Sequence, residues 1–152
     1  MALIEWNHEL EIGIQVIDGQ HRRIVDYIND LHEAEKSADK DVIDRVFMDL
    51  IDYTYSHFAF EESLMDEAGY DALSIHKNTH LAFRERVDAL KARHENGEPV
   101  AGELTELLQT WLLRHIMNDD TTYAPMVKQK MPRIESQDGG SWLSNKVRSF
   151  FN

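Results

Sequence analysis

The sequence predicts an all-α fold: an up-down-up-down four-helix bundle with an N-terminal arm and a short C-terminal helix. Three observations carry that prediction. Leu, Glu, Ala, Asp and Ile are plentiful beside only three prolines and seven glycines, which favours helix over a turn-rich β fold. Four stretches repeat apolar residues at three- and four-residue steps, the period of a helix with one buried face. Short breaks separate them, and helices joined by short turns pack antiparallel around a shared core. With 152 residues, 42% of them hydrophobic, the chain suits a single such core.

Residues 1–18 show no sustained helical period and include Trp6, Gly13 and Asp18, so they read as an extended arm whose apolar residues cap the core. The first helix starts near Gly19 on the stripe His21, Ile24, Ile28 and Leu31, and fades in the polar run Glu33 to Asp41. The second runs from about Lys40 to Glu67, with Val46, Leu50, Thr54, His57, Glu61 and Leu64 on one face before the break at Gly69. The third spans about Asp71 to Glu95 with Leu73, His76, His80, Phe83, Val87 and Leu90 in line, and Asn96, Gly97 and Pro99 end it. The fourth begins near Val100, carries Leu104, Leu108, Trp111 and His115, and reaches Tyr123 before Pro125 and Pro132 interrupt it. Ser136 to Ser141 reads as a linker, with Ser141 capping a short helix through Phe151. The expected division is residues 1–131 as the bundle and 132–152 as a linker and amphipathic tail.

Composition also excludes function classes. A net charge of −12 lacks the clustered Lys and Arg that phosphate contacts need, so no nucleic-acid partner is expected. No segment approaches the roughly 20 apolar residues of a membrane span, and Glu5, His8 and Glu9 stand where a signal peptide would be apolar. A cytoplasmic monomer is the expectation. With no cysteine, disulfides, thiolate zinc sites and thiol nucleophiles are ruled out, so any metal must be held by nitrogen and oxygen.

Eight histidines stand against that background. His57 and Glu61 are four residues apart on one helix face, and His76 and His80 repeat the device on the next helix. His21 and His115 sit on the inward stripes of the first and fourth helices, and Asp120 follows His115 by five residues, slightly off the ideal stripe. Taken singly, each has a plain reading: a lone histidine on an apolar face is usually a satisfied structural residue, and Glu61 beside Glu62, or an Asp in Asn118-Asp119-Asp120, is usually solvated. Jointly, four helices each spoil an apolar stripe at compatible positions, and such a core is badly destabilised without a ligand. Five imidazoles and two carboxylates are too many donors for one tetrahedral zinc, so a two-metal cluster with bridging carboxylates fits the count. The set is richer in nitrogen than the carboxylate-rich bundles built on Glu-x-x-His pairs, which favours reversible binding over oxidative chemistry. His8, His32 and His94 fall outside the pattern and read as surface residues.

These segments resemble the hemerythrin family in its bacterial single-domain form: Asp18-Gly19-Gln20-His21, His57-Phe58-Ala59-Phe60-Glu61-Glu62, His76-Lys77-Asn78-Thr79-His80, and Trp111-Leu112-Leu113-Arg114-His115-Ile116 followed by Asp120. The resemblance covers about residues 1–131. It implies a non-haem di-iron cofactor in which His76, His80 and His115 ligate one iron and His21 and His57 the other. Glu61, Asp120 and an oxo or hydroxo group would bridge the pair, and O₂ would bind end-on and reversibly at the second iron. Such chemistry needs a dry pocket, for which Phe58, Trp111, Ile116 and Met117 are the candidates, although plain core packing also explains each.

The tail has its own character. Residues 141–152 carry +2 from Lys146 and Arg148, leaving −14 on the remainder of a chain whose total is −12. Leu143, Val147, Phe150 and Phe151 form an apolar stripe beside Trp142, suited to folding back on the bundle or docking a partner, and too weakly charged for stable membrane anchoring. The leading function is O₂ binding for storage, transport or delivery to an oxygenase or respiratory enzyme, without catalysis. The alternatives are a module sensing O₂, nitric oxide or redox state, a di-iron peroxidase or oxidase, and a metal-free interaction bundle. The same donors also suit zinc or manganese.

Overall fold

The computed structural model describes residues 2–151, and among them every regular element is helical. In chain order these are a 3-10 turn (His8–Leu10), α1 (Gln15–Ser37), α2 (Lys40–Ala68), α3 (Leu73–Glu95), α4 (Ala101–Arg114), a π-helical turn (His115–Asp120), α5 (Thr121–Ser136), a second 3-10 turn (Gln137–Gly140) and α6 (Trp142–Phe151). The long elements α1, α2, α3 and α4–α5 make the four-helix bundle, with its apolar stripes turned onto one core that includes Ile17, Ile24, Ile28, Phe47, Leu64, Leu104 and Val127.

Local chemistry sets the turns. Asp39 Oδ1 accepts from the backbone N–H groups of Asp41 and Val42 at 3.1 and 3.3 Å, capping the start of α2. Gly69 ends that helix at φ +75°, a left-handed backbone that a Cβ would strain. The arm is fastened from below: Asn29 pairs with both backbone groups of Ile4 at 2.9 and 2.8 Å, and Asp18 accepts from Ile12 and Gly13. Ile4, Ile12 and Ile14 are buried on the core, and Leu10 is buried within the arm.

Three features differ from the sequence expectation. The first helix starts at Gln15 rather than Gly19, because Asp18 satisfies the last arm amides and lets the chain turn into helix beneath them. Pro125 and Pro132 do not interrupt the fourth helix, which continues as α5 to Ser136 and so crosses the division expected at residue 131. The two prolines are seven residues apart and exposed, and so are Thr121 and Lys128, whose carbonyls lose their helical N–H partners to them. His94 is half-buried rather than on the surface, with its ring stacked on Phe47 at 4.0 Å and Nε2 2.8 Å from Asp44.

The chain reverses through Asp138 and Gly139 at φ 53° and 68°, and α6 lies against α2 and α5. Phe151 meets Tyr53 and Phe60 at centroid distances of 4.9 and 6.0 Å, and Trp142 is buried. Among the described residues, no helix is long and apolar enough to cross a membrane.

Candidate metal centre

The seven residues singled out in the sequence all lie at one end of the bundle and are all buried: His21 from α1, His57 and Glu61 from α2, His76 and His80 from α3, and His115 and Asp120 from the π-helical turn. On α1, α2 and α3 the helical period alone explains the convergence. His115 and Asp120 are five apart, a spacing an α-helix would splay. The wider π turn returns to the same face after about five residues, so both side chains point inward.

The carboxylates divide their oxygens between two groups of imidazoles. Glu61 Oε1 lies 3.0 Å from Nε2 of both His76 and His80, while Oε2 lies 3.7 Å from His57 Nε2 and 3.9 Å from His21 Nε2. Asp120 Oδ1 lies 3.0 and 3.3 Å from Nε2 of His115 and His76, while Oδ2 lies 3.1 Å from His21 Nε2. One ligand atom from each of Glu61, His76, His80 and His115 lies within 4.8 Å of the others, and so do those of His21, His57 and Glu61.

Three imidazoles are held from behind through Nδ1: His57 by Gln20 Oε1 at 2.7 Å, His80 by Glu62 Oε2 at 2.8 Å and His115 by Asp119 Oδ2 at 2.8 Å. Each partner oxygen accepts, so each Nδ1 donates and each ring is oriented with Nε2 facing inward. The Tyr123 hydroxyl donates to Glu61 Oε2 at 2.7 Å.

Charge follows this crowding. Burial pushes the Glu61 carboxyl up, but the facing imidazoles of His115, His76 and His80 hold it well below the ordinary value. Burial and the Glu61 charge push Asp120 up, and the imidazoles of His115, His21 and His76 outweigh them, so it too lies low. Burial pulls His76 and His115 down, yet Asp120 and Glu61 raise them to about 9 and about 10. Burial lowers His57 to about 3. Tyr123 is raised well above its usual value by burial and by the nearby Glu61 and Asp120 charges.

The fit to a metal is read from what protein atoms leave unmet. Both nitrogens of His21, Nε2 of His57 and both oxygens of Asp120 are buried without a hydrogen-bond partner. His80 and His115, their Nδ1 protons already committed, aim Nε2 at Nε2 across 3.0 Å, which demands a proton or a cation between them. Buried orphans of this kind cost free energy that coordination would recover. Inward nitrogens with anionic oxygens between them form a donor set suited to borderline divalent cations such as iron.

Phe58 stacks on His80 at 4.0 Å, Trp111 stacks on His115 at 4.3 Å, and Ile116 is buried beside them. Trp111 also lines two surface grooves between α3 and α4 of ≈ 450 and ≈ 440 Å³, so one ring separates solvent from a histidine of the centre. Met117 does not join this wall: it is 57% exposed, because the turn that aims His115, Ile116 and Asp120 inward carries Met117 outward. Sequence reasoning left Gln20, Glu62 and Asp119 without a role. Asp119 stands four residues after His115, an ordinary helical pair that was open to notice. Glu62 and Gln20 reach across to other helices, which leaves no period in the sequence.

The hemerythrin HHE cation binding domain matches residues 12–127. The chain belongs to the hemerythrin family. Its similarity to the bacteriohemerythrin of Pseudomonas aeruginosa is 45% identity over 152 residues, covering 99% of each chain. The bacteriohemerythrin of Stenotrophomonas maltophilia is 44% identical over 153 residues, again 99% of each. The crystal structure of wild-type hemerythrin superposes with a TM-score of 0.78 at 30% identity, covering 83% of this chain and 98% of the other. The hemerythrin fold thus accounts for the bundle, and the buried cluster lies within the matched residues.

Proposed function

We propose that the chain holds two iron ions and binds O₂ reversibly, for storage, transport or delivery to an oxygen-using enzyme in the cytoplasm. The observation that carries this reading is the division of Glu61 and Asp120, each with one oxygen toward the His76, His80 and His115 group and the other toward the His21 and His57 group. His76, His80 and His115 would hold one ion, His21 and His57 the other, and the two carboxylates would bridge them. An iron pair held there would supply the two electrons that reversible O₂ binding uses.

The chain's own residues do the rest. Glu62, Asp119 and Gln20 fix the orientation of three imidazoles, so the donors are arranged before any ion arrives. Tyr123 holds Glu61 Oε2 in place from its buried hydroxyl. Phe58, Trp111 and Ile116 wall the centre with apolar surface and keep bulk water and its protons out, which favours release of unchanged O₂ over irreversible oxidation. Two anionic ligands among seven make the set less suited to oxidative catalysis than a carboxylate-rich one.

The test is an optical titration of the anaerobically reduced, iron-loaded protein with O₂, followed by removal of O₂ under inert gas. A visible charge-transfer band that appears with O₂, disappears on its removal and returns over repeated cycles is the expected result. Direct and irreversible oxidation would overturn the carrier reading in favour of sensing or oxidase chemistry.

A further inference from the structure

The imidazoles on the two sides of the centre are held from behind by different chemistry. Nδ1 of His80 and of His115 donates to carboxylates, Glu62 and Asp119, each at 2.8 Å. On the other side, Nδ1 of His57 donates to the neutral amide oxygen of Gln20 at 2.7 Å, and Nδ1 of His21 is buried with no partner. A carboxylate draws the Nδ1 proton toward itself and makes Nε2 a stronger donor, whereas an amide oxygen orients the ring with little transfer of charge.

The inward faces differ in the same direction. Three imidazoles and one oxygen of each carboxylate converge on one side, against two imidazoles and the remaining oxygens on the other. Donor number and donor strength therefore favour the same half.

Resting on the two-cation reading above, we infer that the halves fill in a fixed order: the first divalent cation enters the His76, His80 and His115 half, and Glu62 and Asp119 set the affinity gap that separates it from the second. Gln20, neutral where the other side has carboxylates, keeps the His21 and His57 half weaker. Once the first cation fixes Glu61 Oε1 and Asp120 Oδ1, Oε2 and Oδ2 already face His57 and His21, so the second cation meets a half-assembled site. Glu62 and Asp119 act through the imidazoles and are positioning residues. Their side chains are 25% and 44% exposed, so replacing either opens no cavity in the core.

The test is a calorimetric titration of the metal-free full-length chain with Co²⁺ alone, followed in parallel by the visible absorption of bound Co²⁺. Two ions per chain in two resolved steps are expected. Glu62→Gln and Asp119→Asn each weaken the tighter step by about 10- to 100-fold and leave the weaker one in place, the range found when a partner behind a metal-ligating histidine is lost. Gln20→Glu strengthens the weaker step and narrows the gap. A merely structural role would move both steps together and lower the melting temperature of the metal-free protein. Two equal steps in the parent chain, or variants acting on the weaker step or on both alike, overturn the order while a total of two leaves the two-cation reading standing. A total other than two overturns both.

Discussion

Where α1 turns into α2 and α3 into α4, the bundle closes on Ile28, Leu31, Phe47, Leu50, Leu90 and Leu104, all buried. At the other end the same four helices bury five imidazoles and two carboxylates, and five of those polar atoms have no partner. The first end is stabilised by removing apolar surface from water and needs nothing further. The second gains little from burial and loses the solvation of its polar atoms, so its stability depends on what those atoms bind. One fold thus carries an apolar core at one end and a cluster of buried donors at the other, and the second is the candidate metal centre.

The largest expected effect comes from removing the group both halves share. Glu61→Ala takes one oxygen from each half, so bound iron, counted per chain by elemental analysis after desalting, falls from two toward none. Two ions retained at unchanged affinity would break the comparison. At the apolar end, Phe47→Ala empties the space of a fully buried ring and is expected to cost about 3–5 kcal/mol in denaturant unfolding. Its iron count stays at two, because no ligand lies there. A loss of iron in that variant would mean that the ends are not independent.

A smaller effect sharpens the contrast through pH. In the metal-free protein, His76 and His115 are raised to about 9 and about 10, so their stabilisation is fully present below the unfolded value of about 6.5 and is lost as pH rises through those values. Glu61 and Asp120, held low, contribute above about 4 and lose that contribution as pH falls through their folded values. His57, lowered to about 3 by burial, disfavours folding as pH drops below about 6.5. With chelator present, the urea midpoint should therefore fall between pH 6.5 and 10. With cation bound it should hold or rise over the same interval, because coordination requires deprotonated imidazoles. Equal slopes with and without metal would show that protons and cations do not compete for these atoms.

What was legible in the sequence follows from how each interaction is encoded. His57, Glu61, His76 and His80 lie at four-residue steps within a single helix, and α2 and α3 keep nearly the bounds their stripes predicted. Asp120 was off the stripe because a π turn has no signature in apolar periodicity, and the same turn places Met117 outside the pocket. Pro125 and Pro132 read as breaks because composition does not say which way a proline faces, and here both face water. Glu62 and Gln20 were passed over because their contacts, to His80 on α3 and from α1 to His57, join residues 18 and 37 positions apart. The stripe of α6 left folding back and docking a partner both open, and only the packed structure brings Phe151 onto Tyr53 and Phe60.

The most direct test of a two-ion centre is a crystal of the iron-loaded protein measured on both sides of the iron absorption edge. Two anomalous peaks per chain are expected, one among His76, His80 and His115 and one beside His21 and His57, with Glu61 and Asp120 reaching both. A single peak, or iron bound away from these residues, would contradict the account.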